Sequence, residues 1–389
     1  MNTPVTPLVN PEVLERIRGW RGYAEAKLGF RNHWYPTLNS SEVVEGKPVP
    51  FELAGEKLLI NRIDDKTYCI KDQCLHRGVP LSQKVECYSK DTITCWYHGW
   101  TYQWADGKLC DILTDPSSKV IGTRALKTYP TQETKGLVFV FLGDIEPTLL
   151  AADLAPGFLD EHRQVRVLRR LVKANWRIGA ENGFDTTHIF IHKDSRLIHG
   201  NQTMLPLGFA PNPNSKEALF KVIENDDGQK GVFDLLAERG IPHFEGRVHG
   251  EVVCRAMHGG DKRIANEVSI WMPGVLKVDP FPDPAMIHFE WYVPCTADSH
   301  WYIHCASKVM DGPDADARFG LEYEALWKDL YAHGFNDDDI WAREATQPFY
   351  QDDWGWLEEQ LFEADACIMA WRKLASEHNR GIQQPKRPG

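Results

Sequence analysis

The chain has 389 residues, 42% of them apolar, with 14 tryptophans and 17 phenylalanines, which is enough for large packed cores and for two domains. A net charge of −11 argues against nucleic acid as a partner, and nine scattered cysteines are the usage of a reducing cytoplasm rather than of a disulfide scaffold. No apolar run reaches the roughly 18 residues that cross a membrane, and the first residues carry no basic stretch ahead of an apolar one, so a cytoplasmic protein without a secretory signal is expected. Leu14, Ile17, Trp20, Tyr23, Ala24 and Leu28 recur at helical spacing, which predicts one amphipathic helix over 11–29 within an N-terminal helical segment, residues 1–33. The pattern then changes to short β runs at 57–63, 67–70, 92–95 and 137–142, punctuated by Asp64-Asp65, Asp106-Gly107 and Gly143-Asp144. Residues 34–150 are therefore expected to form an antiparallel β domain. The stretch 144–157, rich in Pro, Ala and Asp, should connect it to a second domain over 151–389. There, strands at 269–272, 275–278, 287–293 and 300–304 precede helices at 319–333 and 353–378. The fold class is α+β, the second domain being an antiparallel sheet flanked by helices.

Two short motifs in the first domain carry metal chemistry. Cys74-Leu75-His76 and Cys95-Trp96-Tyr97-His98 each place one thiolate and one imidazole in a tight loop, and 18 residues separate His76 from Cys95, enough for a strand pair. Two facing loops then supply the four ligands of a Rieske [2Fe–2S] cluster, two sulfurs on one iron and two imidazoles on the other. Neutral imidazole raises the potential of such a cluster to roughly −150 to +300 mV, against about −400 mV with four cysteines. Gly78 and Gly99 allow backbone amides to approach the cluster sulfides. A Cys2His2 zinc site uses the same donors, but zinc favours paired cysteines and paired histidines from separate elements.

A second signal lies about a hundred residues downstream. His188 and His192, four residues apart, would share one face of a helix with their Cβ atoms about 5–6 Å apart. Asp185, three residues before His188, shares that face. Two histidines with one carboxylate form the facial triad of non-haem Fe(II) sites, which leaves positions open for O2 and water. Such a histidine pair is weak evidence alone, but an upstream electron donor needs an acceptor. The carboxylate is sought within 335–344, where Asp337, Asp338 and Asp339 also suit the first turn of a helix.

With both motifs in this order, the chain resembles the α subunits of the Rieske non-haem iron aromatic-ring-hydroxylating oxygenases over nearly its whole length. The stretches 28–36, 92–98, 181–185, 269–278 and 338–344 carry the likeness, while Trp96 departs from a proline often found at its position. The resemblance implies a helix-grip-like catalytic domain, with Cys74, His76, Cys95 and His98 holding the cluster and His188, His192 and Asp339 holding the iron. Asp339 is preferred to Asp338 because the family's ligand commonly stands five residues before a Glu, here Glu344. Similar enzymes form head-to-tail trimers in which the cluster of one subunit faces the iron of the next. That arrangement gives Asp185 the role of a bridge between the partner subunit's His98 and His188, and it implies a homotrimer without a second type of subunit.

Within the family the likeness is greatest to enzymes that oxidise carbazole. It implies angular dioxygenation: both atoms of O2 add to the carbon bonded to nitrogen and to its neighbour, and the hemiaminal opens to 2′-aminobiphenyl-2,3-diol. Phe184, Ile189, Val268, Leu276, Val278, Phe281 and Phe335 are candidate pocket walls, and His288 and Asn336 candidate polar contacts. Gly183, near the start of the His188 helix, could turn an unpaired carbonyl toward the ring N–H. No Gly-x-Gly-x-x-Gly fingerprint is present, so electrons are expected from a separate ferredoxin and an NAD(P)H-dependent ferredoxin reductase. Arg16, Arg18, Arg21 and Lys27 are possible docking charges. Monooxygenation or O-demethylation of another aromatic stands as an alternative. A dedicated Rieske electron carrier, which leaves His188, His192 and Asp339 without a role, and a binding module with a structural zinc also stand.

Overall fold

The computed structural model describes residues 7–185, 187–200, 203–204, 220–234, 247–248, 252–253, 262–263 and 267–385. Three small antiparallel sheets build the first half. One pairs Val49–Leu53, Glu56–Ile63, Lys66–Lys71 and Thr128–Tyr129; a second pairs Thr92–Thr94, Trp100–Gln103 and Leu109–Ile112; a third pairs His33–Asn39, Leu137–Leu142 and Thr131–Thr134. Asp64 and Asp65 both take positive φ, the turn geometry that matches the twist of a two-residue hairpin. Leu59, Ile70, Ile93, Tyr102 and Trp104 pack beneath the loops that carry Cys74 and Cys95. Between His76 and Cys95 lie a 3-10 turn, Leu81–Gln83, and the single strand Thr92–Thr94, not a strand pair.

The second half is organised by a seven-stranded antiparallel sheet in the order Arg163–Val172, Ser299–Val309, Met286–Thr296, Val275–Asp279, Glu267–Trp271, Lys230–Asp234, Phe220–Glu224. All four strands expected there are present and longer than expected. The edge strand Arg163–Val172 carries no strand signal in the sequence because its arginines interrupt the apolar run. Along the central hairpin, Phe289, Trp291, Val293, Ile303 and Cys305 point into a core shared with Trp34, Leu137 and Phe139 of the first half. His288, Glu290, Tyr292, Tyr302 and His304 occupy the opposite face. Across that face lies the helix Trp176–Phe184, capped by the Asn175 side chain, which accepts from the Arg177 amide at 3.1 Å.

Several expected helices are broken. The segment 11–29 is two short helices, Pro11–Arg16 and Arg21–Glu25, because Gly19 turns the chain with φ +83°. Leu14, Ile17, Trp20, Tyr23 and Ala24 are nevertheless buried together with Trp176, Trp356 and Trp371. Lys27 is buried and pairs with Asp353 at 3.0 Å, which removes it from any docking surface. Residues 319–333 divide between the α-helix Ala315–Glu322 and a π-helix, Tyr323–His333. The helix expected over 353–378 is Gly355–Glu358 followed by Ala366–His378, since Glu359 leaves in an extended conformation and pairs with Arg372. The connection at 144–157 is a tied hub: buried Asp153 holds the His33 ring at 2.8 Å, the Trp34 amide at 2.9 Å and the Arg380 guanidinium. Among the described residues no helix is long and apolar enough to cross a membrane.

Buried histidines give this fold a defined response to acid. His300, whose Nδ1 donates to the Ala174 carbonyl at 2.7 Å, is pushed down to about 3 by burial and by nearby Arg343. A histidine with a depressed folded pKa binds fewer protons folded than unfolded. Its stabilising contribution is complete above the unfolded pKa of about 6.5 and is lost progressively as pH falls toward about 3. Between pH 7 and 5 the loss from His300 amounts to about 2 kcal/mol. Urea unfolding at the two pH values should show His300→Gln losing less stability than wild type on acidification; equal losses would contradict this account.

Candidate metal centres

The two cluster loops are near copies of one another. The Cys74 amide donates to the Val79 carbonyl at 2.9 Å and the Cys95 amide to the Trp100 carbonyl at 2.7 Å, while Gly78 and Gly99 donate back to the Cys74 and Cys95 carbonyls at 2.9 and 3.0 Å. Positive φ at Gly78 (+73°) and Gly99 (+71°) closes each loop. The amides of His76 and Arg77 thereby reach the Cys74 sulfur, and those of Tyr97 and His98 reach Cys95. The His76 and His98 rings meet with centroids 4.5 Å apart, and Trp100 stacks on His76 at 5.0 Å. Trp96 donates from Nε1 to the Pro80 carbonyl at 2.9 Å and so ties one loop to the other. The neighbouring Cys95 thiol, joined by the Tyr102 hydroxyl and loop amides, outweighs burial and brings the Cys74 thiol down to about 6. Two buried sulfurs supplied with amide donors, beside two imidazoles near the surface, suit a Rieske cluster that must exchange electrons outward.

The second centre is assembled from three segments. The helix Trp176–Phe184 stops at Asp185, whose carboxylate accepts from the Thr187 amide and hydroxyl, both at 2.7 Å. His188 and His192 therefore lie on a 3-10 segment, His188–Asp194, instead of the expected α-helix, with ring centroids 5.4 Å apart. His188 Nδ1 donates to the Asp185 backbone carbonyl, leaving Nε2 directed at the site. Within one chain the Asp185 carboxylate is bonded to Thr187 and does not touch His188, contrary to the expected bridge on that side. Asp339 lies in the first turn of the helix Asn336–Thr346, with Oδ1 3.3 Å from His188 Nε2 and 3.5 Å from His192 Nε2. Asp338 lies behind His192, 3.2 Å from Nδ1, where it orients the ring.

Electrostatics at this point favour a cation. His192 Nε2 and Asp339 Oδ1 are buried without a hydrogen-bond partner. Burial opposes charge on both sides of the contact. Even so, His192, His188 and Arg343 hold the Asp339 carboxyl well below the usual carboxylate range, and Asp339 with Asp185 raises His188. One ligand atom from each of His188, His192 and Asp339 falls within 4.8 Å of the others. Two imidazole nitrogens and one carboxylate oxygen, in a buried pocket that draws positive charge, suit non-haem Fe(II).

The candidate pocket residues divide into groups. Phe335 lies flat on His192, centroids 3.6 Å apart, and Phe281 packs on Phe335 at 5.1 Å, with Ile189 and Val278 in the same cluster. Phe184, Leu276 and Val268 belong to the adjoining core. Both ring nitrogens of His288 are used within the protein, whereas Asn336 commits its amide nitrogen and leaves a buried Oδ1 without a hydrogen-bond partner. His288 gives Nε2 to Glu290 at 2.5 Å and bonds Tyr331 through Nδ1, while Asn336 donates to Glu290 at 3.1 Å and to Tyr302 at 2.6 Å. Glu290, Tyr292, Tyr302, Tyr331 and Arg343 were not anticipated. Of these, Glu290 and Tyr292 leave a trace in the sequence, the polar alternation with His288 in a strand that is otherwise apolar.

Gly183 sits in the last turn of the Trp176–Phe184 helix, not at the start of the next segment. The Thr187 amide, which would continue the α-turn onto the Gly183 carbonyl, is captured by Asp185. A Cβ at Gly183 would overlap the Tyr292 hydroxyl, which is itself held by Glu290. Gly183→Ala should therefore cost about 1–3 kcal/mol by overpacking, read by urea unfolding, and a neutral result would show that Tyr292 can move aside.

Comparison with known proteins agrees with both centres. Residues 33–130 match the family described as the Rieske [2Fe-2S] domain, and residues 141–383 match the homotrimeric ring hydroxylases. The chain is 54% identical over 96% of its length, and 97% of the relative's, to the terminal oxygenase component of carbazole 1,9a-dioxygenase from Metapseudomonas resinovorans. It is 55% identical to the corresponding Sphingomonas protein, over 97% of this chain and 99% of that one. A solved reduced complex between oxygenase and ferredoxin in carbazole 1,9a-dioxygenase superposes with a TM-score of 0.93 at 54% identity, covering 97% of this chain and 96% of that one. The chain belongs to the homotrimeric ring hydroxylases, enzymes that join a Rieske [2Fe–2S] domain to a mononuclear iron site.

Proposed function

We propose that this protein is the terminal oxygenase of a carbazole-degrading dioxygenase, adding both atoms of O2 at the angular position to yield 2′-aminobiphenyl-2,3-diol. The observation that carries the reading is the buried convergence of His188, His192 and Asp339, in a chain 54% identical across 96% of its length to a relative named for that reaction. Cys74, His76, Cys95 and His98 hold the cluster, and His188, His192 and Asp339 the iron. The domain limits that follow are a helical segment over 1–33, a Rieske domain over 34–150 and a catalytic domain over 151–389. Together the two centres supply electrons and O2 activation.

The remaining work falls to the protein's own groups. Phe335 and Phe281 present flat apolar surface beside His192 and exclude water. The Gly183 carbonyl accepts the carbazole N–H, and so turns the ring edge that carries nitrogen toward the iron. Orientation selects the carbon pair, since a displacement of about 1 Å can cost on the order of 10²-fold in rate. Asp185, whose backbone carbonyl accepts from His188 Nδ1, turns its carboxylate to the partner subunit's His98 in a homotrimer. A ferredoxin reduced by an NAD(P)H-dependent reductase delivers the electrons, and the reaction takes place in the cytoplasm.

Turnover of carbazole under 18O2 with a compatible ferredoxin and reductase should give the aminobiphenyl-diol carrying both labels. One label, or no conversion while another aromatic is consumed, would favour the monooxygenase or another substrate. Asp185→Asn keeps the Oδ1 that caps Thr187 and removes only the charge. It should lower turnover by about 10- to 100-fold with cluster and iron content unchanged. Near-normal turnover would sink the bridging role.

A further inference from the structure

Arg343 follows Asp339 by four residues on the Asn336–Thr346 helix and is almost fully buried, 1% exposed. Its Nε donates to Asn182 Oδ1 at 2.6 Å, which anchors it to the residue before Gly183. Its Nη2 lies 3.6 Å from Glu290 Oε2 and 4.0 Å from Asp339 Oδ1. Neither terminal nitrogen has a hydrogen-bond partner, so the guanidinium acts on the two carboxylates as a charge, not as a clamp. Tyr302 and Tyr292 flank it, with ring centroids 4.2 and 5.1 Å from the guanidinium carbon.

Glu290 completes the arrangement from the sheet. It accepts from the Tyr292 and Tyr302 hydroxyls, from His288 and from Asn336, the first residue of the helix that carries Asp339. The Tyr292 hydroxyl is the same group that packs against the Gly183 Cα. One buried charge pair thus touches the carboxylate at the iron site, the start of its helix and the end of the helix bearing the Gly183 carbonyl.

We propose that Arg343, with Glu290, is a positioning residue that couples the Asp339 carboxylate to the Asn182–Gly183 turn, so that the iron ligand and the substrate-facing carbonyl keep one fixed spacing. This rests on the reading of the site given under Proposed function. The positive charge of Arg343 limits the affinity of the iron site, and its Nε hydrogen bond to Asn182 sets the orientation of the substrate. A structural ion pair would affect folding stability alone.

The test uses the full enzyme with its cluster intact and the mononuclear iron removed by chelation. Titration of Fe(II) into Arg343→Gln should show a dissociation constant lowered about tenfold, because a guanidinium 4.0 Å from Asp339 Oδ1 repels a cation bound there. Arg343→Lys keeps the charge and loses the Nε hydrogen bond to Asn182. It should bind Fe(II) with near wild-type affinity but shift the ratio of angular to lateral carbazole products about tenfold. If Arg343→Gln does not fold, Tyr292→Phe carries the test, because it removes one hydroxyl from Glu290 and Gly183 and should move the product ratio in the same direction. Wild-type Fe(II) affinity in a folded Arg343→Gln, or an unchanged product ratio in Arg343→Lys and Tyr292→Phe, overturns the proposal. The Fe(II) measurement requires no substrate, so its failure is separable from failure of the carbazole assignment.

Discussion

Residues 289, 291, 293, 303 and 305 of the central hairpin enter a core that continues into the first half of the chain, and residues 288, 290, 292, 302 and 304 face the helices around the iron site. Because a strand alternates with period two, both faces are set by one register. A slip of one residue would bury the polar set against Phe139 and Phe158 and turn tryptophans toward the site. The apolar face supplies the burial that pins this register. The polar face can then hold charge at full burial, and the helices Trp176–Phe184 and Asn336–Thr346 are docked over it.

That charge needs compensation, since an ion removed from water costs several kcal/mol even after relaxation. Glu290 receives donors from His288, Tyr292, Tyr302 and Asn336. At about 1.5–3 kcal/mol for each hydrogen bond to a charged group, four are of the size required. Asp339 is in a different position, since its Oδ1 has no hydrogen bond at all. A unit charge 4 Å away is worth about 4 kcal/mol at an effective dielectric near 20, so Arg343 is a substantial partner but a distant one. A cation in direct contact with Asp339, His188 and His192 satisfies what Arg343 leaves unmet. The site is held ready for iron by the charges around it, not by hydrogen bonds within it.

The cluster loops are legible in the sequence because their ligands, glycines and backbone turns lie within five residues of each cysteine, and local chain geometry decides them. His188 and His192 were legible for the same reason, although their helix type was not. The Asp185 side chain takes the Thr187 amide and diverts the chain into a 3-10 segment, a competition that spacing does not reveal. The N-terminal segment reads as one helix because apolar spacing continues through Gly19, while the backbone turns there.

The sequence by itself determined which residues could carry metal chemistry, the antiparallel strands and the α+β class, since these depend on residue type, spacing and periodicity over short distances. Only the tertiary structure decided that Asp339 faces both imidazoles while Asp338 stands behind His192. It also decided that His288 and the Asn336 amide nitrogen serve Glu290, and that Arg343 lies between two carboxylates. The contacts linking Glu290 to Arg343 and Arg343 to Asn182 join groups 53 and 161 positions apart in the chain. Such contacts exist only once the sheet register and helix docking are set, because the stability of a buried charge depends on every group that surrounds it.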